Sequence, residues 1–141
     1  MNNIRFTPKY AIKQNVSYEE YKMHTYVYNL FIVNIPRIYK YNKEESTMKM
    51  QRIHGDCVAN IYGEEIENVP EGIKQQISDI LTQLTHHNIE YPDITGYNFI
   101  VDNNEIVWII DFEHACHKKN ITNKFILDSC INITQWNEDF A

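Results

Sequence analysis

Apolar positions follow two different periods along this chain, and the changes of period divide it into elements. From Ser17 onward, Met23, Tyr26, Val27, Leu30 and Phe31 recur at the spacing of one helical face. Ser17 with Glu20 is a capping-box pattern, in which each side chain satisfies a free amide near the other, and it predicts the helix start. A longer helix is predicted from Pro70 and Glu71, with Ile73, Ile77, Ile80, Leu81 and Leu84 on one face. It should end near His86, His87 and Asn88, where partial positive charge suits the helix dipole. A short helix is expected within residues 57–62.

Strand-like stretches lie between these helices. Phe6 to Lys13 reads as one short strand, and Pro8 suits a sheet edge because it cannot donate to a ladder. Residues 37–41 and 47–51, around a polar turn at 42–46, read as an antiparallel hairpin. Gly55 is expected to break the chain. Residues 99–101 and 106–110 form a second hairpin around 102–104, preceded by an irregular loop at 91–97. The tail, 121–141, is weakly helical, and Trp136 and Phe140 are expected to pin it to the body. The order strand, helix, two strands, break, long helix, loop, hairpin, tail predicts an α+β fold.

Bulk properties narrow the function. A chain of 141 residues, 43% hydrophobic and 23% charged, supports a single folded domain over 1–141. The net charge of −6 leaves no basic stripe, so general nucleic-acid binding is not expected. No apolar run approaches the roughly 18 residues that span a bilayer, and the first residues lack the apolar core of a signal peptide, so no membrane association is expected. Cys57, Cys116 and Cys130 have no CxxC spacing, which implies a reducing, intracellular and cytoplasmic setting. Cys57 and Cys130 are expected as small buried hydrophobes. His54 with Cys57, and His114 with Cys116 and His117, lack structural-zinc spacing.

The chemistry concentrates in Tyr91-Pro92-Asp93-Ile94-Thr95-Gly96-Tyr97-Asn98 and, after the hairpin, Ile109-Ile110-Asp111-Phe112-Glu113. Asp93 can accept a hydroxyl proton or orient a nucleophile, while Asn98 and Asp111 can hold Mg²⁺ against nucleotide phosphates. Asp and Asn are also common in loops because they bond nearby amides. Asp111, however, ends an apolar strand, where a carboxylate is costly without a partner.

These motifs resemble the protein-kinase-like superfamily, in the style of its small atypical members. One such relative is the kinase of the KEOPS complex, which likewise has Thr two places after the Asp, and the resemblance extends to small kinase-like proteins of large DNA viruses. The resemblance covers most of residues 11–114; it is specific over 91–113 and weaker before that. It implies a minimal protein-kinase-like fold: a truncated N-terminal lobe (1–50, a short antiparallel sheet plus one helix), a hinge (51–56), and a small helical C-terminal lobe (57–141) carrying the catalytic-loop hairpin.

It also implies roles. Asp93 matches the catalytic base, and Asn98 and Asp111 the metal ligands. Lys13, in Ala11-Ile12-Lys13, matches the lysine that holds the α- and β-phosphates, with Glu20, or Glu19 beside it, as its helix partner. For Glu20 this pairing competes with the capping role at Ser17. Met50 matches the gatekeeper. Gln51, Arg52 and Ile53 match the hinge that offers backbone N–H and C=O groups to adenine. Ile100 and Ile110 would lie under the purine and beside the phosphates. The implied ligands are ATP and Mg²⁺, with a protein as a further substrate or partner.

The sequence departs from the family pattern in several places. No glycine-rich loop precedes Lys13, Tyr91 and Pro92 stand for His and Arg, Glu113 stands for Gly, and no Ala-Pro-Glu motif follows. Slow phosphoryl transfer to a Ser/Thr hydroxyl or to water is therefore the expected activity. A nucleotide-binding module without transfer is the alternative. A small-molecule kinase ranks third, because such enzymes need a large helical substrate lobe.

Overall fold

The computed structural model describes residues 4–140. Met1–Asn3, part of the N-terminal stretch read above, and Ala141, the end of the predicted tail, lie outside the described residues. The fold is α+β, and the described residues form three small antiparallel sheets, four α-helices and one 3-10 turn, Ile66–Asn68.

The first sheet has strand order β1-β2-β4-β3, from β1 (Ile4–Phe6), β2 (Tyr10–Lys13), β3 (Ile38–Asn42) and β4 (Thr47–Gln51). The predicted single strand over 6–13 is in fact a hairpin. Pro8 sits in the turn, where its missing N–H is not needed, and β2 is an inner strand paired on both sides. The 37–51 hairpin forms as predicted, with a bulge between Ile38 and Lys40.

Helix α1 (Tyr18–Leu30) follows β2. Ser17 caps it by accepting the Glu20 N–H at 3.1 Å. The buried stripe differs from the predicted one: Glu20, Met23, His24 and Val27 point inward, while Tyr26 and Phe31 are exposed. The apolar face is displaced because it also takes in two polar side chains, Glu20 and His24.

The second sheet, order β5-β7-β8, joins β5 (Gly55–Cys57), β7 (Phe99–Asp102) and β8 (Val107–Ile109). Gly55 does not break the chain but opens β5, opposite Asp102. A Cβ there would overlap the Val101 carbonyl oxygen and lie 2.8 Å from Asp102 Cα, so only glycine permits this backbone approach. The segment 51–56, expected as a hinge, comprises the last residue of β4, a link at 52–54, and the first two residues of β5.

Helices α2 (Val58–Tyr62) and α3 (Glu71–His86) fall where predicted, and α3 buries Ile73, Ile77, Ile80, Leu81 and Leu84. The third sheet pairs β6 (Ile89–Glu90) with β9 (Cys116–His117), two strands too short to show in a sequence. Helix α4 (Lys124–Ile131) packs on α3, and its Ser129 carbonyl accepts the buried Ser78 hydroxyl at 2.8 Å. Cys57 and Cys130 are half-buried rather than buried.

Two hydrophobic clusters result. The smaller one, Ala11, Val16, Met48 and Met50, underlies the first sheet. The larger one joins α3, the second sheet and the tail, and takes in Met23 and Val27 of α1. Helix α1 therefore ties the first sheet to the larger body. Among the described residues, no helix is long and apolar enough to cross a membrane.

Two outcomes test this packing. Gly55→Ala should destabilise the fold by about 2–4 kcal/mol in urea unfolding, because a methyl group meets rigid backbone. The buried His24 is held neutral by burial, with its pKa lowered to about 4, and its Nε2 donates to the Pro36 carbonyl at 2.7 Å. The unfolded His binds its proton near 6.5, so His24 contributes stability that is present above that pH and lost as pH falls toward the folded value. Relative to His24→Gln, the wild type should lose roughly 2 kcal/mol between neutrality and about pH 5, read from paired urea curves.

Candidate active site

One buried cation organises the region between the two clusters. Lys13 ends β2 on its inner face, with 6% of its side chain exposed. Its ammonium lies 2.6 Å from Glu20 Oε2 and 3.3 Å from Asp111 Oδ1. The three residues come from a strand, a helix and the end of the second hairpin, so this contact also closes the fold. Burial alone would lower the Lys13 pKa, but Asp111 and Glu20 outweigh it and raise it. Burial raises Glu20, with Lys13 only partly opposing. Glu20 thus donates its backbone N–H to the Ser17 cap and gives its carboxylate to Lys13, while Glu19 is exposed.

Asp111 occupies a left-handed backbone conformation, φ 67°. Asp tolerates this region because its side chain bonds nearby amides, and Asp111 Oδ1 accepts the Glu113 N–H at 3.2 Å. Upstream, the Ile110 N–H donates to the Asn98 carbonyl at 3.0 Å, which holds the hairpin end against the loop. Tyr91, fully buried, donates its hydroxyl to the Ile110 carbonyl at 2.7 Å. Its ring packs edge-on against Phe112 and Phe99, and Phe112 meets His24 edge-on in turn. Burial raises the Tyr91 phenol well above its usual range, so it stays a neutral donor.

Asp93 and Asn98 share the irregular loop between β6 and β7. Asn98 Nδ2 donates to the Asp93 carbonyl at 2.8 Å, which leaves Asn98 Oδ1 unused by the described residues. Asp111 Oδ2 is likewise without a protein donor. Two free hard oxygens, one just before β7 and one just after β8, suit Mg²⁺, which takes few protein ligands and completes its shell with phosphate oxygens and water. Among the described residues, no three His, Cys, Asp or Glu side chains gather to hold a metal by themselves. Burial raises the Asp93 carboxyl, and the His114 contact lowers it in part.

The residues expected to face a nucleotide divide. Met50 is buried in the smaller cluster, opposite Ala11. The Gln51 N–H is already bonded to Arg37 at 2.7 Å, and its side chain accepts the Arg37 N–H. The Arg52 N–H reaches Lys9 at 3.4 Å. Of the three hinge amides, only that of Ile53 lacks an acceptor among the described residues. Ile53 and Ile110 are buried yet belong to neither cluster, and Ile100 is half-buried on the strand face opposite Phe99 and Val101. Neither of two surface cavities, one along 31–34 and α3 and one between α1 and β3, is lined by any of these residues. Buried charge, not concavity, marks the site.

Sequence reasoning missed His114, whose Nδ1 lies 3.2 Å from Asp93 Oδ2. It also missed Asn137, which bonds the loop beside Asp93. Both contacts join residues more than twenty positions apart, and no local spacing signals them.

The sequence matches no protein-family model and no curated protein. Among solved structures, the fold is similar to that of the Cydia pomonella granulovirus kinase PK-1, with a TM-score of 0.58 and 16% identity. The match covers 79% of this chain and 45% of that kinase, so the chain spans under half its length. The fold is therefore kinase-like, in reduced form.

Removing the central cation should be costly. Lys13→Met leaves two buried carboxylates unpaired and should destabilise the protein by about 3–5 kcal/mol in urea. Adding Glu20→Leu should return part of that loss, because one stranded charge is removed with the other.

Proposed function

We propose that this chain is an ATP- and Mg²⁺-dependent phosphotransferase of the protein-kinase-like type, acting slowly on a Ser/Thr hydroxyl or on water. The observation that carries the reading is the Lys13 ammonium held between Glu20 and Asp111, next to a loop bearing Asp93 and Asn98. A lysine fixed by two carboxylates presents a preset positive charge to phosphates at no further ordering cost.

In this reading, residues 1–50 form a reduced first lobe, 51–56 the hinge and 57–141 the second lobe. Lys13 steadies the α- and β-phosphates. Ile53 offers its backbone N–H to adenine, with Met50, Gln51, Ile100 and Ile110 around the ring. Asn98 Oδ1 and Asp111 Oδ2 hold the metal, which when bound neutralises charge on the transferred phosphate. Asp93 takes the acceptor proton as the acceptor oxygen bonds phosphorus and the bond to the leaving diphosphate breaks. The raised Asp93 pKa brings this carboxylate closer to neutral pH, which suits a base. The reduced build and Thr95, two places after Asp93, favour the small atypical branch. Three free cysteines suit an intracellular setting.

A second reading is a nucleotide-binding module without transfer. It draws on the absence of any glycine before position 55, which leaves Lys13 without a flexible phosphate-covering loop in this sequence.

Thermal unfolding with ATP, with and without Mg²⁺, tests binding. Saturation at a hundred times Kd should add about 2.7 kcal/mol of stability. Asp111→Asn should abolish the Mg²⁺-dependent part. Asp93→Ala should keep the stabilisation and lower phosphate release by about 100-fold or more. Stabilisation of the wild type without release would favour the second reading, and no Mg²⁺-dependent stabilisation at all would remove both.

A further inference from the structure

We propose that His114 and the C-terminal segment 132–140 are positioning elements for Asp93, so that the far end of the chain aims the carboxylate. This rests on the phosphotransferase reading above and adds to it the residues that make Asp93 competent.

The loop holds itself on one side only. Ile94 N–H bonds the Pro92 carbonyl at 2.8 Å, Thr95 N–H the Asp93 carbonyl at 3.0 Å, and Asn98 Nδ2 the same carbonyl at 2.8 Å. The carbonyls flanking Asp93 are both met by one tail residue. Asn137 Nδ2 donates to Pro92 O at 2.7 Å, and the Asn137 N–H donates to Ile94 O at 2.9 Å. Asn137 thus fixes the 92–93 and 94–95 peptide planes, while the plane between them is held through the Asp93 carbonyl by Thr95 and Asn98.

The same tail reaches the side chain. Asn137 closes a tight turn, its Oδ1 accepting the Asp139 N–H at 3.2 Å and its carbonyl the Phe140 N–H at 3.1 Å. That turn lays the Phe140 ring 4.9 Å from the His114 ring. His114 Nδ1 then stands 3.2 Å from Asp93 Oδ2. The His114 side chain is 45% exposed and that of Asp93 9% exposed, so the imidazole forms the outer wall against which the carboxylate is set. Trp136, packed on the main cluster, anchors the segment just before Asn137. The backbone beside Asp93 is thus held directly by Asn137 of the tail, and its carboxylate by His114, which the tail backs through Phe140.

The test is a double-mutant cycle on phosphate release from Mg-ATP. His114→Ala and Asn137→Ala should each lower kcat by up to about 100-fold, as small misplacements do, with KM and Mg-ATP thermal stabilisation unchanged. In the Asp93→Ala background the same two changes should have no further effect. His114→Asn, whose amide can stand in for Nδ1, should restore most of the rate lost in His114→Ala. Because His114 is half-exposed, its truncation leaves the core packing intact, and it decides the matter where Asn137→Ala unfolds. Equal losses with and without Asp93, or no loss at all, overturn the inference and leave the phosphotransferase reading standing. A wild type that is stabilised by Mg-ATP but releases no phosphate overturns that reading, and the inference with it.

Discussion

A lysine ammonium buried between two carboxylates is the constraint on which the rest of this structure depends. A charge in that position is tolerable only with full pairing, since desolvating an ion costs several kcal/mol. Lys13 can be paired only if β2, α1 and the end of the second hairpin converge on one point. The polar stripe on α1, the left-handed turn at Asp111 and the packing of α1 across both clusters all follow from that convergence. The arrangement sets one ammonium against two carboxylates, and the Ile110 N–H bond to the Asn98 carbonyl keeps the loop beside it.

Around this charge the protein builds an apolar brace. Tyr91, Phe112 and His24 pack edge to edge, each from a different element. Two of them carry a polar atom that must be matched, and both are matched by backbone: Tyr91 to the Ile110 carbonyl and His24 to that of Pro36. Buried polar groups satisfied in this way fix a unique arrangement, because any slip leaves an unpaired donor. The brace therefore couples the position of α1, and with it Glu20, to the conformation of the segment carrying Asp111.

The likeness to a granulovirus kinase at 16% identity shows how little sequence this architecture requires. The chemistry proposed for it is carried by a handful of side chains, three of which, Lys13, Glu20 and Asp93, are held by side-chain partners from other segments.

Much was legible without coordinates. Helices α1 and α3 and the hairpins at 38–51 and 99–109 announce themselves because their periodicity and turns are local properties. The spacing of Asp93, Asn98 and Asp111 pointed to one loop and one strand end for the same reason. What the chain alone left undecided was every contact between distant segments. Strands β5, β6 and β9 are two or three residues long and exist only because partners elsewhere pair with them. Glu20 could cap or bridge, and only the approach of Lys13 settled that its carboxylate bridges while Ser17 caps. His114 and Asn137 converge on Asp93 from positions whose spacing encodes nothing about it, since hydrogen bonds across a fold depend on where the backbone goes rather than on sequence distance.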